Sequence, residues 1–193
     1  MMQHQKYHLE IRPASGQDRE GVISLIDAVY REYGDSVCLE GAESDLLDLP
    51  DYYRNQSGEF WVLAESSVTT QQPQVELGLF PQAENPVILG SHAAFVVDEQ
   101  SKLAGFRRLY LAKHLRGTGW GRKLMQIAID WAWETGMQRV EFWSDTRFER
   151  AHQFFETFGF RRDGRLRHMH DGNEPYSEYF FYLDLEQSKP FCS

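Results

Sequence analysis

The sequence has few cysteines, no long apolar run and no cluster of metal-binding residue types. Cys38 and Cys192 are its only cysteines, which excludes a disulfide framework and a cysteine-rich metal site, so we interpret both as free thiols. No stretch approaches the roughly 18 apolar residues that cross a bilayer, and the first residues lack the apolar core of a signal peptide. These absences predict a cytoplasmic protein with no membrane partner and no metal.

The composition is that of a folded globular chain. Hydrophobic residues make up 41% of the 193 residues and charged residues 25%, with only seven prolines, which argues against a disordered protein. A chain of this length is long enough to bury a sizeable core within one domain. We therefore expect a single domain without repeats.

Acidic residues are absent from one part of the chain. Residues 1–99 carry 17 acids and 5 bases, whereas residues 100–193 carry 12 acids and 15 bases. Within the second half, residues 100–129 contain seven bases and no Asp or Glu. This gap favours an anionic ligand at that place, and the alternative is a solvated basic face.

Hydrophobic patterning predicts alternating strands and helices. Strands are expected at YHLEIRPA, EFWVLAE, RVEFWSD and YFFYLDL, and as two runs within residues 87–112. Helices are expected over residues 18–33, about 119–135 and 148–160, with a short helix inside the acidic segment 35–53. The polar, proline-bearing residues 66–86 predict a loop.

A glycine-rich segment, LRGTGWGRK at residues 115–123, joins the predicted strand RRLYL to an amphipathic helix. Backbone N–H groups of such a loop, with the positive end of the helix dipole, form an anion cradle, and glycine lets a phosphate approach closely. Two familiar phosphate loops are excluded by spacing. The P-loop needs glycine directly before its lysine, and the dinucleotide motif needs a third glycine where Arg122 stands.

The pattern Arg-x-x-Gly-x-Gly at residues 116–121 resembles the acyl-coenzyme A loop of the Gcn5-related N-acetyltransferase (GNAT) family. The stretch RAHQFFETFGF resembles a later helix of that family, usually of the form Ala-x-x-Phe-Tyr-Glu-x-x-Gly-Phe. The resemblance covers residues 8–185 and implies one N-acetyltransferase domain there, with tails at residues 1–7 and 186–193. It implies an α/β fold: a mixed, mostly antiparallel central sheet flanked by helices and splayed at the acyl-CoA site.

The resemblance also implies an activity, the transfer of acetyl from acetyl-CoA (coenzyme A) to a primary amine by direct attack. The acceptor would be a small-molecule or peptide amine, and the overall acidity argues against a nucleic-acid partner. The pantetheine would pair with a strand and the pyrophosphate would lie on the glycine loop. The implied cofactor-binding residues are Leu109, Tyr110, Leu111, Arg116, Gly117, Thr118, Gly119, Trp120, Gly121, Arg122 and Phe155.

Two positions depart from the family pattern. Phe155 stands where a tyrosine often acts as general acid, and Gly105 where a glutamate often acts as base. Asp145, which follows the strand RVEFWS, and His152, one turn before Phe155, are therefore the candidate catalytic residues. A capping role for Asp145 and a packed or surface role for His152 are the alternatives. Weaker options are His92 and Tyr182.

Three functions stay open at this stage: an acetyltransferase, an acyl-CoA-binding regulator without efficient catalysis, and a domain that binds another polyanion. The regulator is suggested by the two departures from the family pattern. Residues 35–51 carry six acids and no Lys or Arg. They predict an acidic rim that attracts a cationic acceptor, and a solvated loop is the alternative.

Overall fold

The computed structural model describes residues 7–67 and 86–185, and the predicted alternation of strands and helices is present there. The strands are β1 (Tyr7–Pro13), β2 (Glu59–Ser67), β3 (Val87–Asp98), β4 (Leu103–Leu111), β5 (Arg139–Asp145), β6 (Arg161–Met169) and β7 (Tyr176–Asp184). The helices are α1 (Arg19–Arg31), α2 (Asp51–Arg54), α3 (Trp120–Glu134) and α4 (Glu149–Glu156). Cys192 and most of the predicted loop and tails lie outside the described residues.

The described strands form one seven-stranded sheet in the order β1-β2-β3-β4-β5-β7-β6. All neighbouring strands are antiparallel except β4 and β5, which are parallel. The predicted fold class, a mixed and mostly antiparallel sheet flanked by helices, is thereby confirmed. The parallel pair is short: it ends after Gly105↔Glu141, its third residue pair. Beyond that point β4 and β5 separate.

A β-bulge in β4 accompanies this separation. Ser91 of β3 lies opposite Tyr110, but Ala93 lies opposite Arg107, so two residues of β4 face one residue of β3. Arg108 is one of the two, and its φ of 60° is uncommon for a residue with a side chain. Because a bulge bends its strand and increases the local twist, it directs the end of β4 away from β5.

Helices cover both faces of the sheet. On one face, Met125 of α3 and Phe155 of α4 pack with buried residues of the central strands, such as Phe106. On the other face, Ile26 of α1 and Tyr53 of α2 pack against the strands β2 and β3. The sheet is therefore the middle layer of three, and the separation of β4 and β5 opens between the two helical layers.

The sequence pattern does not predict β6. Its residues RRDGRLRHM are mostly exposed and lack an alternation of apolar side chains, because β6 is an edge strand. Arginines instead lie on aromatic rings of β7 and β5: Arg165 is 3.4 Å from the ring centre of Phe180, and Arg167 is 4.4 Å from that of Trp143. Such cation–π contacts stabilise an edge that has little apolar surface to bury.

The side chain of Arg108 is buried with two acids of the segment that links α1 and α2. Its Nη1 lies 3.3 Å from Glu43, and its Nε and Nη2 both donate to Asp45. These three side chains are between 3% and 7% exposed. Burial lowers the pKa of Arg108, but the charge of Asp45 outweighs this effect and raises the pKa well above its usual value. The acidic rim predicted for this segment is therefore wrong at Glu43 and Asp45, which are buried and neutralised.

Removal of the Arg108 charge should destabilise the fold. We expect Arg108→Met to lower the free energy of unfolding by about 3–5 kcal/mol, because Glu43 and Asp45 then stay buried without a cation. Arg107→Met is the control: it removes an exposed arginine from the same strand and should change stability by less than about 0.5 kcal/mol. Urea unfolding monitored by tryptophan fluorescence measures both. Equal midpoints for the two variants would show that the buried pair has no net role.

Candidate active site

A cavity of about 340 Å³ opens where β4 and β5 separate. One wall is formed by β4 between Gly105 and Tyr110, and the opposite wall by β5 between Glu141 and Asp145. Phe155 of α4 closes the cavity on the side of the α3–α4 layer. The remaining sides are formed by residues of the β6–β7 hairpin and of the segment after α1.

Gly105 is the last residue of β4 that pairs with β5, and the ring of Phe95 fills the space beside it. A Cβ at this position would lie 2.6 Å from Cζ of Phe95 and 2.9 Å from Cγ2 of Val97. A side chain at position 105 would therefore displace Phe95. A glutamate at position 105 would thus not fit this packing of the cavity wall.

Beyond Gly105 the edge of β4 that faces β5 has no strand partner in the described sheet. The side chains on this part of β4 are fixed by other contacts. Leu109 packs against the core under α3 and α4, and the Tyr110 hydroxyl lies 3.0 Å from that of Tyr30 on α1. The backbone of residues 109–111 is therefore held in an extended form with one edge free for an extended ligand.

The glycine loop has the open backbone that an anion site requires. Gly117 and Gly119 have φ angles of 80° and 94°, which favour glycine, and a Cβ at either position would meet no atom within 4 Å. Gly119 is the N-cap residue of α3, and the N–H of Lys123 donates to its carbonyl at 3.2 Å. The N–H groups of residues 120–122 precede that bond and have no acceptor within the helix.

Arg116 fixes this loop to the rest of the domain. Its guanidinium donates two hydrogen bonds to Glu32, the residue that follows α1, at 2.7 and 2.9 Å, and a third to the Leu111 carbonyl at 3.1 Å. The same contact lowers the pKa of Glu32 below its usual value. Thr118 adds a hydrogen bond from its hydroxyl to the Leu115 carbonyl. The side chain of Arg116 therefore holds the loop in place, while the backbone of the loop stays open.

His152 and Phe155 lie together on α4 but differ in access to the cavity. Phe155 lines the cavity and packs edge-on against Phe142, with ring centres 4.9 Å apart. His152 is not among the lining residues; its Nε2 lies 3.2 Å from Oγ of Ser144, which does line the cavity. Burial lowers the pKa of His152. The imidazole therefore reaches the cavity only through the Ser144 hydroxyl.

Asp145 lines the cavity, but both of its carboxylate oxygens are already bound. Nε of Arg147 lies 3.0 Å from each oxygen, and the N–H of Arg147 donates to Oδ1 at 2.8 Å. Arg147 also binds Asp35, beyond α1, at 2.9 Å. These contacts close the turn after β5 and agree with the alternative structural role considered for Asp145.

Three acids that were not predicted from the sequence also line the cavity: Glu178, Glu141 and the exposed Asp171. Glu178 lies directly opposite Asp145 on β7, and its side chain is 14% exposed. Burial raises the pKa of Glu178 even though Arg167 donates to its carboxylate at 2.6 Å. Glu141 lies beside Gly105, with Arg139 at 3.7 Å. A single acid among the aromatic residues of YSEYFFYL was the available signal for Glu178.

The two weaker sequence candidates lie in different places. His92 lines the cavity but is buried, with Nδ1 2.9 Å from the Leu124 carbonyl, and burial lowers its pKa to about 4. It is therefore neutral near pH 7. Tyr182 is not among the lining residues, and its ring is covered by Arg139 and Arg161.

Two segments far apart in the sequence meet beside the cavity. The N–H of Ala42 donates to the Asp171 carbonyl at 2.9 Å, and the Asn173 amide donates to the Ser36 carbonyl at 2.7 Å. A Cβ at Gly41 would lie 1.9 Å from the same Asp171 oxygen, so only glycine allows this approach. We call the two segments, residues 35–43 and 170–175, the hairpin wall.

The described residues contain neither a membrane-spanning helix nor a metal-binding cluster. None of the helices within residues 7–67 and 86–185 is long and apolar enough to cross a membrane. In the same two ranges, His, Cys, Asp and Glu side chains form no group of three or more that could bind a metal ion.

Comparison with known proteins identifies a family and a fold. The sequence model of the Acetyltransferase (GNAT) family matches residues 39–160, and no curated protein matches the chain. An acetyltransferase from Streptococcus agalactiae is similar in structure with a TM-score of 0.68 at 19% identity, covering 92% of this chain and 98% of that chain. A GNAT-family acetyltransferase from Staphylococcus aureus has a TM-score of 0.69 at 18% identity, covering 93% and 100%. A putative acetyltransferase from Salmonella typhimurium, solved with its cofactor acetyl-CoA, has a TM-score of 0.62 at 15% identity, covering 96% and 99%.

The packing at Gly105 generates a prediction about stability. We expect Gly105→Ala to lower the free energy of unfolding by about 1–3 kcal/mol, because the new Cβ overlaps the Phe95 ring. In a Phe95→Leu background the same change should cost less, which a double-mutant cycle from urea unfolding measures. Gly16→Ala is the control, since a Cβ there meets nothing within 4 Å. Additive effects at positions 95 and 105 would contradict the proposed overlap.

Proposed function

The chain belongs to the GNAT acetyltransferase family, which uses acetyl-CoA, and we propose that it transfers the acetyl group to the primary amine of a small molecule or peptide. One observation carries this proposal: the cavity lies where β4 and β5 separate, beside a free strand edge that leads into an open glycine loop. A long, extended ligand with a phosphate group at one end fits this arrangement.

We propose that the pantetheine pairs with the backbone of residues 109–111 and that the pyrophosphate binds the backbone N–H groups of residues 116–122. The residues present fit such a ligand, because the space in front of Gly117 and Gly119 is open and the N–H groups at the start of α3 lack helical acceptors. Phe155 would lie beside the thioester, since it lines the cavity at the end of α4 that faces β5.

In the proposed reaction, the amine nitrogen attacks the thioester carbonyl carbon, the carbon–sulfur bond breaks, and CoA leaves as the thiolate. The amine must lose two protons in all if it arrives as an ammonium ion, one before the attack and one with it. A backbone N–H of β4 would stabilise the oxyanion. Much of the acceleration can come from the positioning of the two bound reactants.

We propose Glu178 as the group that accepts a proton from the amine. Among the acids that line the cavity, Asp145 and Asp35 share Arg147, Glu43 is bound by Arg108 and Glu178 by Arg167, and Asp171 accepts a hydrogen bond from Tyr176. Glu178 is distinguished by the effect of its burial. Burial raises the pKa of Glu178 towards the range in which a carboxylate accepts a proton from an amine and releases it near neutral pH. Catalysis by Asp145 or His152 stays a prediction, which the contacts described above support less well than they support Glu178.

We also propose where an ammonium group of the acceptor binds. Because Glu43 and Asp45 are buried and paired with Arg108, Glu141 and, beside Arg167, Glu178 would attract this group in the cavity instead. The positive group expected from the sequence is thus kept as a proposal, with its binding moved from the rim into the cavity.

One prediction of this proposed function concerns the glycine loop. Gly119→Val should weaken CoA binding at least about tenfold, because a branched side chain fills the space that the pyrophosphate needs. Gly136→Val is a matched control: Gly136 follows the other end of α3 with a φ of 76°, and it also has nothing within 4 Å of its Cβ position. Both variants should lose stability, but calorimetry should show lost CoA affinity only for Gly119→Val. Similar affinities for the two variants would contradict the cradle.

Another prediction of this proposed function concerns the proton acceptor. Glu178→Gln should lower kcat about 10²-fold at neutral pH and recover partly at higher pH, where more of the acceptor is already a neutral amine. Its CoA affinity should not change, and the matched variant Glu141→Gln should lower kcat much less. CoA release with a panel of amines measures these rates. A protein that binds CoA but acetylates no amine would instead be the acyl-CoA-binding regulator.

A further inference from the structure

The arginines of the cavity differ in whether a carboxylate binds them. Arg108, Arg147 and Arg167 are each bound to carboxylates, at Glu43, at Asp145 and at Glu178 respectively. Arg107 also lines the cavity, but its side chain makes no hydrogen bond or ion pair within the described part of the chain. An unpaired guanidinium in a cavity whose other arginines are neutralised is available for an anion of the ligand.

Arg107 lies on the wall where a second substrate would enter. It is opposite Ala93 and directly before the β4 bulge, two residues from Gly105 on the same face of the strand. Burial raises the pKa of Glu178 on β7, and the charges of Arg167 and, to a smaller extent, Arg107 oppose that rise, so the charge of Arg107 acts across the cavity. The cavity therefore has a free positive group on β4 and a carboxylate on β7.

This arrangement disfavours an acceptor that carries only positive charge, because such a molecule would approach the free guanidinium without compensation. We propose that the acceptor carries an anionic group next to its amine, as a free amino acid does, and that Arg107 binds this anion. The inference rests on the proposed function. A carboxylate matches the flat, two-donor face of a guanidinium, and the amine of the same molecule then points towards Glu178.

The test compares three acceptors that share the same side chain: an amino acid, its carboxamide, and the amine that lacks the carboxyl group. Wild-type protein should prefer the amino acid. Arg107→Ala should lower kcat/KM for the amino acid by about 10- to 100-fold through KM, because it removes a hydrogen-bonded charge pair, and should change the other two by less than about twofold. An aminophosphonate in place of the amino acid tells whether any anion suffices.

Controls separate this inference from the proposed function. Lys102→Ala removes a positive charge from the turn between β3 and β4, outside the cavity, and should leave all three rates unchanged. Arg107→Lys should recover only part of the preference, since ammonium lacks the paired donors. Acetyl-CoA should raise the melting temperature of Arg107→Ala as much as that of the wild type.

The outcomes are distinct. If the wild type acetylates the three acceptors equally, or if Arg107→Ala lowers all three rates alike, the anion site is wrong and the proposed function stands. If no amine is acetylated, the proposed function fails, and calorimetry of the amino acid with CoA-bound protein then decides the anion site. Binding that is lost in Arg107→Ala supports the site, and no binding to the wild type overturns it.

Discussion

The buried charge of Arg108 is the constraint on which the cavity depends. A guanidinium removed from water needs carboxylate partners, and Glu43 and Asp45 supply them from a segment more than 60 residues away. To reach those partners, Arg108 adopts a positive φ within a strand, which is the bulge. The bulge bends β4 away from β5 and leaves its edge free. Charge burial, strand shape and the opening for the ligand are thus parts of one arrangement.

Side chains and backbone have different tasks around this opening. Arg116 binds Glu32 and the Leu111 carbonyl, and Tyr110 contacts Tyr30, so these side chains connect the ligand-facing segments to α1 and to the end of β4. The backbone of the same segments stays available. A site built in this way tolerates varied side chains as long as the scaffold keeps the backbone in place, which is consistent with a fold shared at less than 20% identity.

The strand and helix order, the fold class and the glycine loop could be predicted from sequence because each has a local pattern. The edge strand β6 could not, since its stability comes from arginines such as Arg165 that lie on rings of another strand. The burial and pairing of the charged side chains could not be predicted either. From sequence alone Glu43 is expected to be exposed, and Glu178 becomes distinctive only through its burial beside Arg167. The pairing of side chains that are far apart in the sequence cannot be predicted from the spacing of residues within one segment.

The hairpin wall has a consequence for the order of folding. Its hydrogen bond between Asn173 and Ser36 joins residues 137 positions apart, and the bond from Arg116 to Glu32, which fixes the glycine loop, joins residues 84 positions apart. The β3–β4 hairpin, by contrast, forms between near neighbours. Contacts of longer range carry a higher loop-closure cost and form after local ones. The hairpin that carries β4 can therefore be complete in molecules whose glycine loop and hairpin wall are still unformed, so secondary structure alone does not report a binding-competent population.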